Sequence, residues 1–172
     1  MNLPVVEALV ARYFVQRGYL VWNELAIDEG HGGDIDVIAC NAGELVVAEC
    51  KDQYTGSPEG LLNQIKRAVG YLKSEACPHA TLMAKLKLRQ LLVLPRIEYG
   101  GDDAWRKLAE MATAEGIEVM DADRVMLEVI RKERELLKRR QGSKGPRGRY
   151  GKQPDTIRNL IKWLIYRDWL KV

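Results

Sequence analysis

The stretch that most limits what this chain can fold into is Gly33–Lys51, GDIDVIACNAGELVVAECK. Two apolar runs, Ile35–Cys40 and Leu45–Cys50, flank a short connection containing Asn41, Ala42 and Gly43. That is the pattern of a β-hairpin closed by a glycine-bearing loop. Side chains along a strand alternate between faces. Glu49 and Lys51 therefore share one face while Cys50 takes the other, and Asp34 and Asp36 share a face in the same way. The hairpin returns the start of its first strand to the end of its second, so Asp36 is expected to meet Glu49 and Lys51 at one end of a small sheet.

Carboxylates gathered beside apolar strands repel one another unless a cation lies among them. A hard divalent ion such as Mg²⁺ takes oxygen ligands and keeps waters that a substrate phosphate displaces. A lysine beside such an ion can hold or help deprotonate an attacking water. Taken alone, the same spacing also fits a solvated strand end with alternating charge. Asp36, twelve intervening residues and then Glu49-Cys50-Lys51 resemble the PD-(D/E)XK signature of the restriction-endonuclease-like nuclease superfamily. The flanking GGDIDVIA and ELVVAECKD are similar to Mrr-type restriction nucleases and archaeal Holliday-junction resolvases, although Ile35 stands where the signature carries proline. The resemblance covers about residues 4 to 130, is strongest over 33–52, and after residue 80 rests on the order of elements. It implies an α/β restriction-endonuclease-like core, a mixed central β-sheet flanked by helices. It also implies a site in which Asp36, Glu49 and the main-chain carbonyl of Cys50 hold Mg²⁺ or Mn²⁺ while Lys51 positions the attacking water.

The order of elements agrees with that expectation. Val5, Val6, Leu9, Val10, Tyr13 and Phe14 form one apolar stripe over Pro4–Arg17, a helix with Asn2 as cap and Gly18 as stop. Glu7 sits off the centre of the stripe in the first turn, where a carboxylate suits the helix dipole; the resemblance makes it the acid that completes the metal site. Tyr19–Ile27 reads as a strand, with Glu24 a reserve carboxylate midway along it, and the polar, glycine-rich Asp28–Gly33 follows. His31 in that loop is a candidate for substrate contact or for solvent, and Asp34 for hydrogen bonding to loop amides behind the metal ligands. Asp52–Gly60 reads as a turn-rich segment. Leu61–Glu75 resumes helical spacing, Arg89–Ile97 is a buried strand, Asp102–Gly116 an amphipathic helix with Trp105, Leu108, Ala109 and Met111 inward, Ile117–Met120 a short strand and Ala122–Arg140 a long helix started at Asp121 or Asp123. On the helix after the hairpin the resemblance assigns Gln64 to contact with DNA or with the site lysine, and Lys66, Arg67 and Lys73 give that helix a basic side.

The charge of the chain is unevenly spread. Its net charge is only +3, yet Arg131–Lys152 holds ten Lys/Arg against two Glu, which leaves the remainder acidic. Localised positive charge attracts phosphate backbones, so Arg139, Arg140, Lys144, Arg147, Arg149 and Lys152 are candidate DNA contacts. Residues 1–140 are read as the nuclease-like domain and 141–154, QGSKGPRGRYGKQP, as a basic flexible linker, either a phosphate-neutralising arm or a solvated hinge. Residues 155–172 then form a C-terminal amphipathic helix started at Asp155, whose Ile157, Leu160, Ile161, Trp163, Leu164 and Trp169 need burial. It could pack on its own core, on a second copy to give a homodimer, or on a different protein.

Cys40, Cys50 and Cys77 lack Cys-x-x-Cys spacing, so neither a zinc site nor a disulfide framework is indicated; the iron–sulfur cluster of some of the resembling proteins would want four cysteines, and buried thiols are expected. No apolar stretch is long enough to span a bilayer and no signal-like leader is visible, so a cytoplasmic location without membrane contact is expected. The function expected on these grounds is metal-dependent endodeoxyribonuclease. The alternatives are resolution of four-way or branched DNA junctions and a non-catalytic nucleic-acid-binding assembly subunit.

Overall fold

The computed structural model describes residues 5–26, 34–53, 56–75, 77, 80–96 and 99–142 of the chain. In chain order the elements are α1 (Val5–Val15), β1 (Leu20–Ala26), β2 (Asp34–Cys40), β3 (Glu44–Cys50), α2 (Pro58–Lys73), α3 (Ala80–Met83), β4 (Lys87–Leu94), α4 (Asp102–Ala114), β5 (Ile117–Asp121) and α5 (Ala122–Gly142). The strands form one mixed sheet in the order β1-β2-β3-β4-β5. β1, β2 and β3 are an antiparallel meander, and β4 and β5 join parallel to β3. A parallel connection needs a crossover, and α2 and α4 supply the two crossovers.

β3 is central and covered on both faces, which explains why LVVAEC reads as a continuous apolar run. Val46, Ala48 and Cys50 pack with Val6, Val10 and Phe14 of α1 and Val125 and Val129 of α5. Leu45 and Val47 pack the other way, with Leu61, Leu62 and Ile65 of α2 and Leu108 of α4. The fold is thus a three-layer α/β sandwich whose two cores are separated by the sheet. α1 is locked to α5 by the fully buried Glu133, which pairs with the Arg12 guanidinium and accepts from Gln16 Nε2 at 2.8 Å.

Several boundaries differ from the expectations. Val5 is 63% exposed and stands outside the apolar stripe of α1. α2 begins at Pro58 rather than Leu61, with Ser57 Oγ accepting the Gly60 N–H at 3.2 Å. Its first turn faces away from the core, so the apolar repeat starts one turn late; the Ser-Pro pair is the signal that marks the true start. β4 covers Lys87–Leu94, because its first residues are only partly buried and Pro95 has no N–H to extend the ladder. α3 is too short to show a period and was not expected. Asp121, not Asp123, starts α5, its Oδ1 accepting the Asp123 N–H at 3.0 Å. α5 continues through Gly142, two residues into the stretch read as linker. The rest of the stretch read as linker and residues 155–172, where a C-terminal helix is expected, lie outside the described residues. Among the described residues no helix is long and apolar enough to cross a membrane.

Candidate active site

The site is built where two strands part. β2 and β3 pair from Cys40↔Leu45 to Val37↔Ala48. One residue further the Asp36 side chain takes the place of the ladder, its Oδ2 accepting the Cys50 N–H at 2.7 Å. β2 stays with β1 as far as Asp34, whereas β3 continues with β4 and the Lys51 N–H donates to Val93 O at 2.9 Å. The notch between them collects the polar side chains of a hairpin that is otherwise core.

Lys51 Nζ forms a close ion pair with Glu49 Oε1 and lies 3.8 Å from Asp36 Oδ2. One ammonium is therefore shared by two carboxylates from adjacent strands, as the alternation of side chains along the hairpin implied. Glu49 is only 5% exposed, and Asp36 and Lys51 are half-buried. Burial pushes both carboxyl groups above their ordinary range. For Asp36 the neighbouring Asp34 adds to the rise while the Cys50 N–H and Lys51 oppose it; for Glu49 the Asp36 charge adds to it and Lys51 opposes it. Burial alone would lower Lys51, but its hydrogen bond to Glu49 and the two negative charges outweigh that, and its net displacement is upward. The two carboxylates thus favour the charged form of the ammonium.

Glu7 reaches this region from the opposite layer. It is 3% exposed in the first turn of α1, and its Oε1 accepts from Asn23 Nδ2 of β1 at 3.4 Å. Its charge, after those of Asp36 and Glu49, helps to raise the buried Cys50 thiol, which desolvation already pushes far up. Among the described residues no three Asp, Glu, His or Cys side chains form a ready-made metal cage. Glu7 is thus held by Asn23 on the face of the sheet that carries Cys50, and it is at Cys50 that its charge is felt. A Mg²⁺ ion asks for only one or two carboxylates together with water and phosphate oxygens, so the donor set present fits such an ion.

The remaining expected residues are more scattered. Asp34 is exposed at the start of β2 and acts on the site through its charge. Glu24 falls between Asn23, which faces Val37, and Leu25, which faces Ile35, and so lies across from Asp36 in register. Gln64 is half-buried on α2, with Oε1 buried and without a hydrogen-bond partner among the described residues. Arg67 is exposed, and Lys66 is engaged with Glu115. Arg139 and Arg140 lie in the last turns of α5. His31, Lys144, Arg147, Arg149 and Lys152 lie outside the described residues.

Two partners were missed. Asn23 holds Glu7 from the neighbouring strand, and Asp52, directly after Lys51, accepts the N–H groups of Val5 and Val6 at 3.1 and 2.7 Å. Both bonds join positions far apart in the chain, and no local spacing announces them. A largely apolar groove of about 290 Å³ opens beside Asp52, between the first turns of α1 and α5, and is lined by neither Asp36, Glu49 nor Lys51. Neither a protein-family model nor a curated protein matches this chain.

Proposed function

We propose that the chain is a metal-dependent endodeoxyribonuclease with a restriction-endonuclease-like core. The observation that carries this reading is the sharing of the Lys51 ammonium between Asp36 and Glu49 at the point where β2 leaves β3. Structural ion pairs on a sheet usually join one cation to one anion in solvent. Here two carboxylates are held close together and partly desolvated, an arrangement that raises the free energy of the empty site and favours ion binding.

A bound Mg²⁺ or Mn²⁺ supplies Lewis-acid polarisation of the scissile phosphate and a more acidic water. Asp36, Glu49 and the Cys50 main-chain carbonyl are the donors assigned to it. Lys51, its ammonium kept charged by both acids, orients the attacking water and offsets charge building on the phosphate oxygens. Glu7, whose charge reaches Cys50 between Glu49 and Lys51, is assigned as the further acid of the site. The Asp36 bond to the Cys50 N–H fixes the relative position of the two ligand-bearing strands, so the donors are pre-set before substrate arrives. The basic residues of α5 and of the segment beyond it are assigned to the DNA backbone, a contact that carries affinity without base sequence.

The test is a cleavage assay on linear, single-stranded, flapped, supercoiled and four-way DNA with and without Mg²⁺ or Mn²⁺. Wild-type protein is expected to cut in the presence of metal and leave 5′-phosphate ends, and Glu49→Ala and Lys51→Ala to abolish cutting. Cleavage that survives both substitutions removes the assignment. Strict preference for four-way junctions would redirect it to junction resolution.

A further inference from the structure

An α-helix opens with N–H groups that its own carbonyls cannot reach. The usual acceptor is a side chain just upstream in the chain. α1 instead uses Asp52, 46 residues after Val6, with one carboxylate oxygen on the Val5 N–H and the other on the Val6 N–H. The two ends of this bond are adjacent in sequence to the two halves of the site. Asp52 follows Lys51, whose own N–H is pinned to Val93 of β4, and Val6 precedes the buried Glu7.

We propose that Asp52 is a positioning residue: by clamping the first turn of α1 onto the end of β3, it sets the Glu7 carboxylate over Cys50, the residue between Glu49 and Lys51. This rests on the metal-dependent reading above. An aspartate suits the task because its two oxygens accept from two N–H groups at once, and its charge faces the positive end of the helix. The helix does not need the clamp to stay folded. Its apolar face buries Val6, Leu9, Val10, Tyr13 and Phe14, and its far end is held by Arg12 and Gln16 on Glu133. Loss of the Asp52 carboxylate therefore frees the first turn, where Glu7 sits, and leaves the rest of α1 in place.

The experiment is a double-mutant cycle on the full chain, with Mn²⁺ affinity measured by electron paramagnetic resonance for wild type, Asp52→Ala, Asp52→Asn, Glu7→Gln and the Asp52→Ala/Glu7→Gln double variant. Amide exchange at Val5, Val6 and Phe14 is followed alongside. Asp52→Ala is expected to weaken Mn²⁺ binding about tenfold, the size typical of residues that orient a metal site from outside it. Asp52→Asn, which keeps one acceptor oxygen, loses less. The double variant binds no more weakly than Glu7→Gln, because Asp52 acts through Glu7. Val5 and Val6 lose exchange protection while Phe14 keeps it. Undiminished Mn²⁺ binding by Asp52→Ala, additive losses in the double variant, or unchanged protection at Val5 and Val6 overturns the positioning role and leaves the nuclease reading standing. A wild-type protein without Mn²⁺ affinity overturns both. If Asp52→Ala does not fold, Asp52→Asn carries the cycle by the same criteria.

Discussion

The Asp36 carboxylate accepts the main-chain N–H of Cys50 at 2.7 Å, one step beyond the last main-chain pairing of β2 with β3 at Val37 and Ala48. Asp36 is therefore both a charge in the site and a bond that holds the site open, and the two roles separate by mutation. Asp36→Asn keeps an acceptor for the N–H but loses the charge. Asp36→Ala leaves that N–H without its partner, at a cost of about 1–3 kcal/mol. Urea unfolding is expected to place the asparagine variant near wild type and the alanine variant lower by that amount. Neither should support metal-dependent cleavage. Equal stabilities would mean that the bond does not hold the strands.

The upward displacement of Asp36 and Glu49 gives stability a pH dependence of known sign. Burial first, and for Glu49 the Asp36 charge next, makes the folded protein bind protons more tightly than the unfolded chain. The contribution of these groups to stability is greatest below the ordinary carboxylate range and falls as pH rises through the interval between the unfolded and the raised folded values. On the proposed function a divalent cation would bind the ionised pair and reverse the loss. Mn²⁺ is expected to raise Tm by an increment that grows with pH across this interval and then levels off, and Glu49→Gln to abolish the increment. A Tm increment independent of pH, or one retained in Glu49→Gln, would place the cation elsewhere.

The extent to which this architecture could be read in the sequence depends on how local each cause is. Asp36, Glu49 and Lys51 were legible together because strand alternation and one tight turn fix their relative positions, and both causes lie within a single hairpin. The mixed sheet flanked by helices followed from the order of elements, in which apolar runs alternate with helical spacing of the kind seen in α2 and α4. Glu7 was placed on the right helix, but its burial was not visible, since the groups that meet the first turn of α1, Asn23 on β1 and Asp52 just past β3, come from far along the chain. The same holds for Glu133, an apparently ordinary charge in a basic helix that lies buried against Arg12 and Gln16. The first turn of α2 escaped because a cap and a proline carry no periodicity.

Glu133 permits a further prediction about what holds α1, and with it Glu7, against the sheet. A buried ion pair is costly to break from one side and inexpensive to replace from both. Arg12→Ala removes the guanidinium while Gln16 stays on Glu133, which puts the expected loss near the low end of the range for such pairs, about 3 kcal/mol. The paired replacement Arg12→Met with Glu133→Met restores apolar volume and removes both charges, so its denaturation midpoint should return to within about 1 kcal/mol of wild type or exceed it. If the double substitution is as damaging as the single one, the pair contributes specific geometry that packing does not replace.

Cys50 offers a chemical readout of the same electrostatics. Its thiol is buried between α1 and the sheet, and desolvation, followed by the charges of Asp36, Glu49 and Glu7, pushes its pKa far above that of a free thiol. Only the thiolate attacks alkylating or disulfide reagents. Cys40 is half-buried and Cys77 buried, and all three are free thiols. In the native protein at mildly alkaline pH, Cys40 should be labelled first, and Cys50 only at the rate of unfolding. Peptide mapping of a labelling time course checks this directly. Asp52→Ala frees the first turn of α1 above Cys50 and should speed its labelling without changing that of Cys77, which lies in the other core with α2. Fast native labelling of Cys50 in the wild type would mean that α1 does not cover the end of β3, and the position assigned to Glu7 would be lost with it.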